Sequence, residues 1–62
     1  MIKEYRIKRG YTQKELAEQI NLSARQIQRI EENEEKTKIS TLKKLIKILQ
    51  VPDKEIIDFM KK

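Results

Sequence analysis

Arginine and glutamine side chains at helical spacing carry the most specific hydrogen-bonding chemistry in this sequence. Arg25, Gln28 and Arg29 lie three and four positions apart, so they share one face of a helix, and Ala24 lies beside them. Arginine can bind guanine O6 and N7, glutamine can pair with adenine N6 and N7, and alanine can contact the thymine methyl group. This face therefore has the chemistry to contact base edges, although the same residue types are also common on solvated helices.

The sequence has no histidine and no cysteine, which removes most catalytic chemistry. Without an imidazole there is no base suited to neutral pH, without a thiol there is no sulfur nucleophile, and no Ser–His–Asp set can form. The same absence removes disulfides and the usual ligands of a structural zinc ion. We therefore expect a protein that is not an enzyme and that uses no cofactor or metal.

The chain has 62 residues, which limits the size of its fold. We expect a single small domain, residues 1–62, that helix packing or oligomerisation must stabilise. The longest uninterrupted apolar run is two residues, as at Leu45-Ile46, so no segment is expected to cross a membrane. No apolar stretch of signal-peptide length follows Met1. These features favour a cytoplasmic protein, and no small-molecule ligand is evident.

Basic and acidic residues are unevenly distributed along the chain, whose formal net charge is +5. Counting Lys and Arg against Asp and Glu gives +4 for residues 1–14, −4 for 15–35 and +5 for 36–49, while residues 50–62 balance. If the fold brings the two basic segments to one face, they form a footprint for an anionic partner such as nucleic acid. We expect them to clamp phosphates from both sides, unless the lysines only solvate helix surfaces.

The same helix start signal occurs twice, in residues 11–16 and again in residues 22–27. Each copy has an apolar residue, a Thr or Ser, two further residues, a Glu or Gln and a second apolar residue. The hydroxyl of Thr12 or Ser23 can cap a helix while the Glu or Gln three positions later bonds back to the cap. The first helix must end near Ile20, which leaves Asn21-Leu22 as the whole connection, and Asn21 can adopt the left-handed conformation that such a tight turn usually requires. This arrangement predicts a helix-turn-helix.

The rest of the sequence also predicts helices, because apolar residues recur at helical spacing rather than in alternation. Gly10 and Asn33 are expected to end helices in the left-handed conformation. Residues 42–49 form an amphipathic stripe, for which Thr37 and Ser40 are alternative helix caps. The predicted fold is all-α, with helices at about 1–9, 12–20, 23–32, 39–49 and 52–60.

The sequence resembles the Cro/C1-type helix-turn-helix domains of bacterial and phage repressors, also called the XRE family. The resemblance rests on the string Thr12–Ile20 (TQKELAEQI), the cap Ser23, and Ile27, Ile30 and Glu31. It implies a compact five-helix fold like that of lambda repressor. It also implies a sequence-specific double-stranded DNA-binding transcriptional regulator of repressor type, with helix 23–32 in the major groove.

The chain departs from the family pattern at several positions. Asn21 and Asn33 stand where the family usually has glycine, and Thr37-Lys38 replaces a Pro-Ser pair. Four glutamates in the segment 31–35 follow the recognition helix, so some of them must point away from phosphates. We expect a weaker cap at the start of the fourth helix.

The resemblance implies roles for individual residues. The expected base contacts are Ala24, Arg25, Gln28 and Arg29. The expected phosphate contacts are Thr12, Gln13, Ser23, Gln26, Lys36 and Lys38. Thr12 is equally well explained as a helix cap. An ion pair between Arg6 and Glu31 is expected to tie the first helix to the recognition helix.

The expected partners are an operator in double-stranded DNA and a second copy of the chain. Dimers of this class bind half-sites about 34 Å apart, one turn of DNA. Ile7 and the apolar residues of 56–60 are candidates for the dimer contact. The alternative is a protein-interaction module, such as an antitoxin-type component, that uses the acidic segment 31–35. A membrane-surface peptide is disfavoured because the core needs the apolar stripe of 42–49.

Overall fold

Five α-helices follow one another along the chain, joined by short turns. A computed structural model describes residues 1–61, so Lys62 of the expected domain lies outside the described residues. The helices are α1 (Ile2–Lys8), α2 (Gln13–Gln19), α3 (Ala24–Glu32), α4 (Ile39–Leu49) and α5 (Asp53–Met60), with one 3₁₀ turn at Glu34–Lys36. No strand occurs between residues 1 and 61. The prediction of an all-α, five-helix fold is confirmed.

The core lies between the first four helices and Val51, the second residue after α4. Its buried members are Ile2, Leu16, Ala17, Ile27, Leu45, Leu49 and Val51. Burying an aliphatic side chain of this size stabilises the fold by about 1.5–3 kcal/mol. The predicted stripe of α4 supplies Leu45 and Leu49 as fully buried residues, and Leu42 and Ile46 pack partly buried against them. From α5, Ile56 packs against this core at its edge.

Two left-handed residues reverse the chain where the sequence predicts it. Gly10 has φ +81°, and the N–H of Tyr11 donates to the carbonyl of Arg6 at 3.0 Å, which closes the end of α1. Asn21 has φ 57°, and the N–H of Leu22 donates to the carbonyl of Ala17 at 2.9 Å. Both turns are therefore tight, and the second sets the angle between α2 and α3.

The expectation that Asn33 ends α3 in the left-handed conformation is wrong. Asn33 has φ −147° and ψ 62°. Its carbonyl accepts from the N–H of Lys36 at 3.1 Å, so the chain enters the 3₁₀ turn Glu34–Lys36 instead of reversing at Asn33. That turn brings the carboxylate of Glu34 to the backbone N–H of Ile2, 2.8 Å away, at the start of α1.

Neither Thr37 nor Ser40 caps α4. The residue before the helix is Lys38, which provides no side-chain cap, and Ser40 lies inside the helix. The hydroxyl of Thr37 instead donates to the carbonyl of Asn33 at 3.4 Å. The helix therefore begins without the side-chain acceptor that usually satisfies its first N–H groups, as the departure at Thr37-Lys38 suggested.

Arg9 connects the end of α1 to the end of α4. Its Nε donates to the carbonyl of Leu49 at 2.7 Å, and its Nη2 donates to the carbonyl of Gln50 at 3.0 Å. These two carbonyls lie at the C-terminal end of α4, where a positive charge is electrostatically favourable. Gln50 itself is left-handed, with φ 52°. The arginine thus stabilises a helix end 40 residues away in sequence.

Candidate nucleic-acid interface

Capping boxes fix the starts of α2 and α3, as predicted. At α2, Thr12 Oγ1 accepts from the N–H of Glu15 at 3.0 Å, and Glu15 Oε1 accepts from the N–H of Thr12 at 2.9 Å. The pKa of the Glu15 carboxyl lies below its ordinary value. The main cause is the hydrogen bond from the Thr12 backbone, and the Thr12 side chain makes the second contribution. At α3, Ser23 Oγ accepts from the N–H of Gln26 at 3.2 Å, and Gln26 Oε1 accepts from the N–H of Ser23 at 2.9 Å.

The packing of α3 leaves one of its faces in solvent. Ile27 is fully buried and Ile30 packs partly buried against the core, so the opposite side of the helix points outward. Arg25, Gln28 and Arg29 are exposed on that side, while Ala24 is half-buried. Three of the four residues predicted to contact bases thus lie on the solvent side of one helix, two of them cations, and Ala24 lies at the edge of that side.

A groove beside α3 brings together four residues predicted to face DNA. It runs between α3 and the segment from Asn33 to Thr41, and Gln26, Arg29, Lys36 and Lys38 line it. Three of these four side chains are positively charged, so the groove can accept an anion. Asn33 and Thr41 also line the groove. The sequence does not predict them as site residues, because the 3₁₀ turn after α3 shapes this side of the groove.

At the starts of α2 and α3, the side chains expected to contact phosphates already have hydrogen-bond partners within the fold. The Thr12 and Ser23 hydroxyls accept the capping hydrogen bonds. The side-chain Nε2 of Gln13 donates to Glu31 Oε1 at 3.1 Å. Gln13 therefore contacts the last turn of α3, a position that nothing in the local sequence indicates.

Arg6 and Glu31 form a buried ion pair between α1 and α3. Arg6 Nε donates to Glu31 Oε2 at 2.6 Å, and Arg6 Nη1 donates to the carbonyl of Tyr11 at 2.9 Å. Their side chains are 11% and 4% exposed. With Gln13 as a third partner, the Glu31 carboxylate joins α1, α2 and α3, which fixes the orientation of α3 relative to the other two helices.

A family model described as helix-turn-helix matches residues 2–56, which is most of the chain. The chain belongs to the Cro/C1-type helix-turn-helix family. Members of this family are DNA-binding transcription regulators and are not typically enzymes. No curated protein and no solved structure matches the chain significantly. Between residues 1 and 61, no helix is both long and apolar enough to traverse a bilayer.

Two of the four glutamates in the segment 31–35, at the end of α3 and just after it, have partners inside this helix-turn-helix domain. Glu31 binds Arg6, and Glu34 accepts from the Met1 amine at 3.2 Å. Burial acts to lower the pKa of that amine, but hydrogen bonds to Glu34 and Glu4 and the charges of these two carboxylates together raise it above 8.0. Glu32 and Glu35 remain exposed. The acidic segment thus exposes fewer charges than its composition implies.

Two arginines of the first basic segment also have partners inside this helix-turn-helix domain. Arg6 is buried against Glu31, and Arg9 binds the carbonyls at the end of α4. Both arginines thus have partners within the fold, and the expected phosphate clamp stays a prediction. No local pattern predicts the role of Arg9, because its partners are brought to it only by the packing of α1 on α4.

Proposed function

We propose that the chain is a sequence-specific double-stranded DNA-binding transcription regulator of repressor type, with α3 inserted in the major groove. The observation that supports this most directly is the exposed face of α3, where Arg25, Gln28 and Arg29 point away from the core. A helix fits the width of the major groove, and these side chains match the hydrogen-bonding groups of guanine and adenine. Ala24 is small enough to contact a thymine methyl group.

The groove beside α3 supplies the proposed phosphate contacts. Lys36, Lys38 and Gln26 line it together with Arg29, so a DNA strand that follows α3 would pass these donors. Thr12, Gln13 and Ser23 are proposed as additional contacts at the starts of the two helices. Gln13 would use the part of its amide that Glu31 does not occupy. In a plot of log affinity against log salt concentration, each phosphate that a cation neutralises makes the slope more negative by about 0.9.

A second copy of the chain is the proposed protein partner, bound through the apolar groove between α4 and α5. Ile39 and Met60 line this groove and are 63% and 70% exposed, which is unusual for such large apolar side chains. Lys43 and Glu35 also line it, so a two-fold pairing can set the lysine of one copy against the glutamate of the other. Such a dimer would present two α3 helices to a palindromic operator.

Sedimentation tests the dimer. Ile39→Glu should shift the protein from dimer to monomer at concentrations where the wild type is dimeric. Ile7→Glu is the matched control, because Ile7 is 60% exposed on α1 and does not line the groove. If Ile7→Glu is monomeric and Ile39→Glu stays dimeric, the dimer contact lies on α1, the other predicted surface.

Selection of bound sites from random duplex DNA tests the proposed function. The wild type should enrich a palindromic consensus, and Arg25→Ala or Arg29→Ala should relax it at single positions, at a cost of about 1–3 kcal/mol. Lys54→Ala removes an exposed cation from α5, outside the groove beside α3, and should leave the consensus unchanged. Absence of duplex binding even at low salt would contradict the proposal and favour a protein-interaction module.

A further inference from the structure

Glu32 is an exposed carboxylate on the same face of α3 as the proposed base contacts. It follows Gln28 by four positions and Arg25 by seven, so the three side chains project in similar directions from the helix. It lies opposite Ile27 and Ile30, which face the core. Glu32 therefore belongs to the outward face of the helix, although its residue type is not expected next to phosphates.

The carboxylate of Glu32 binds the side chain of Gln28. Gln28 Nε2 donates to Glu32 Oε1 at 3.4 Å. An ionised carboxylate only accepts hydrogen bonds, so it selects the amide orientation in which the NH₂ group points toward Glu32. The carbonyl oxygen of Gln28 then points away from Glu32 and is available as an acceptor.

The stability of the fold does not explain this glutamate. Glu31 and Glu34 bind cationic groups inside the fold, but between residues 1 and 61 no cation lies within ion-pair distance of Glu32. Glu32 is also the last residue of α3, where the helix dipole disfavours a negative charge. Among residues 1–61, the side chain of Glu32 makes its one hydrogen bond with Gln28, a proposed base-reading residue.

We propose that Glu32 is a positioning residue that orients the carboxamide of Gln28 and so determines which base Gln28 selects. This inference rests on the proposed DNA-binding function. With its carbonyl oxygen free, Gln28 favours a base with an amino group in the major groove, adenine or cytosine, over guanine or thymine on the same strand. Without Glu32 the amide can flip, and the preference at that position weakens.

Binding to four duplexes that differ only at the position read by Gln28 tests the inference. That position is the one at which Gln28→Ala loses the wild-type preference. We expect a wild-type preference on the order of tenfold. Glu32→Ala should reduce it toward the Gln28→Ala level. Glu32→Gln should largely keep it, because a glutamine carbonyl can still accept from Gln28 Nε2.

Glu18→Ala is the matched control, because it removes an exposed carboxylate that lies on α2 and lines neither groove. It should raise the affinity for all four duplexes equally and leave the preference intact. Thermal unfolding checks that each variant is folded. The role of Glu32 would be overturned if Glu32→Ala kept the full preference, or if Glu18→Ala lost it to the same extent. A folded wild type that binds no duplex at low salt would overturn the proposed function, and this inference with it.

Discussion

At the scale of single residues, the carboxylate of Glu31 determines how α3 is held. It receives hydrogen bonds from Arg6 on α1 and from Gln13 on α2, and its side chain is almost fully buried. A buried ion pair of this kind orients helices more than it stabilises them, but removal of one partner leaves an uncompensated charge. The position of α3, the helix proposed to face DNA, thus depends on three polar side chains rather than on apolar packing alone.

Arg6→Ala should lower the free energy of unfolding by about 3–5 kcal/mol, because it leaves Glu31 buried without its cation. Urea unfolding followed by circular dichroism measures this loss. Lys3→Ala, which removes an exposed cation from the same helix, should change stability by less than about 0.5 kcal/mol. If Arg6→Ala folds as well as the wild type and only binds DNA more weakly, Arg6 is a phosphate contact and our account of the pair is wrong.

The sequence suggests the pairing of Arg6 with Glu31 only through the family resemblance, since 25 residues separate them. It indicates nothing of the contact between Gln13 and Glu31 or of that between Arg9 and the end of α4. Spacing rules describe neighbours on one helix, whereas these contacts depend on how different helices pack. The proposed base-reading residues were accessible to prediction because they share one helix whose buried face is apolar.

At the scale of elements, local signals explain most of the helix boundaries. The capping boxes at Thr12 and Ser23 and the left-handed turns at Gly10 and Asn21 form where the sequence indicates, since each depends on residues within one turn. The exceptions lie between α3 and α4. There Glu34 contacts the start of α1, which is distant in sequence. The chain forms a 3₁₀ turn at Glu34–Lys36, and Asn33 does not adopt the left-handed conformation that was expected to end α3.

Two serine substitutions should have opposite effects on stability. Ser23→Ala removes the side-chain acceptor at the start of α3 and should cost about 1 kcal/mol. Ser40→Ala replaces a residue inside α4 that caps nothing, and should stabilise the fold by a few tenths of a kcal/mol, roughly the difference in helix propensity. Thermal unfolding of the two variants measures both effects. A loss of about 1 kcal/mol in Ser40→Ala would instead identify Ser40 as the cap of α4.

At the scale of the whole molecule, charge is divided between internal contacts and the proposed DNA-facing surface. Arg6, Arg9, Glu31 and Glu34 have partners within the fold, while Arg25, Arg29, Lys36 and Lys38 are exposed at α3 or beside it. The net charge of +5 therefore understates how basic the α3 side of the molecule is. The negative segment 15–35 does not prevent this, because two of its glutamates have partners inside the fold.

The Met1 amine gives this 62-residue chain a specific pH dependence. Because its pKa is raised above 8.0 in the folded state, it contributes stability below pH 8.0 that is lost as the pH rises through the raised value. The melting temperature should therefore fall as the pH rises above about 8, before tyrosine and lysine titrate. Glu34→Gln should flatten this dependence. An equal fall in the variant and the wild type would show that the amine and Glu34 are not coupled.

The central claim is that the outward face of α3 and the groove beside it form the DNA-binding surface. Titration of a selected duplex into ¹⁵N-labelled protein, followed by NMR, tests it residue by residue. We predict that the largest chemical-shift changes occur at residues 24–29 and at Lys36 and Lys38, with small changes along α5. Changes concentrated on α4 and α5, with α3 unaffected by a bound duplex, would contradict the account.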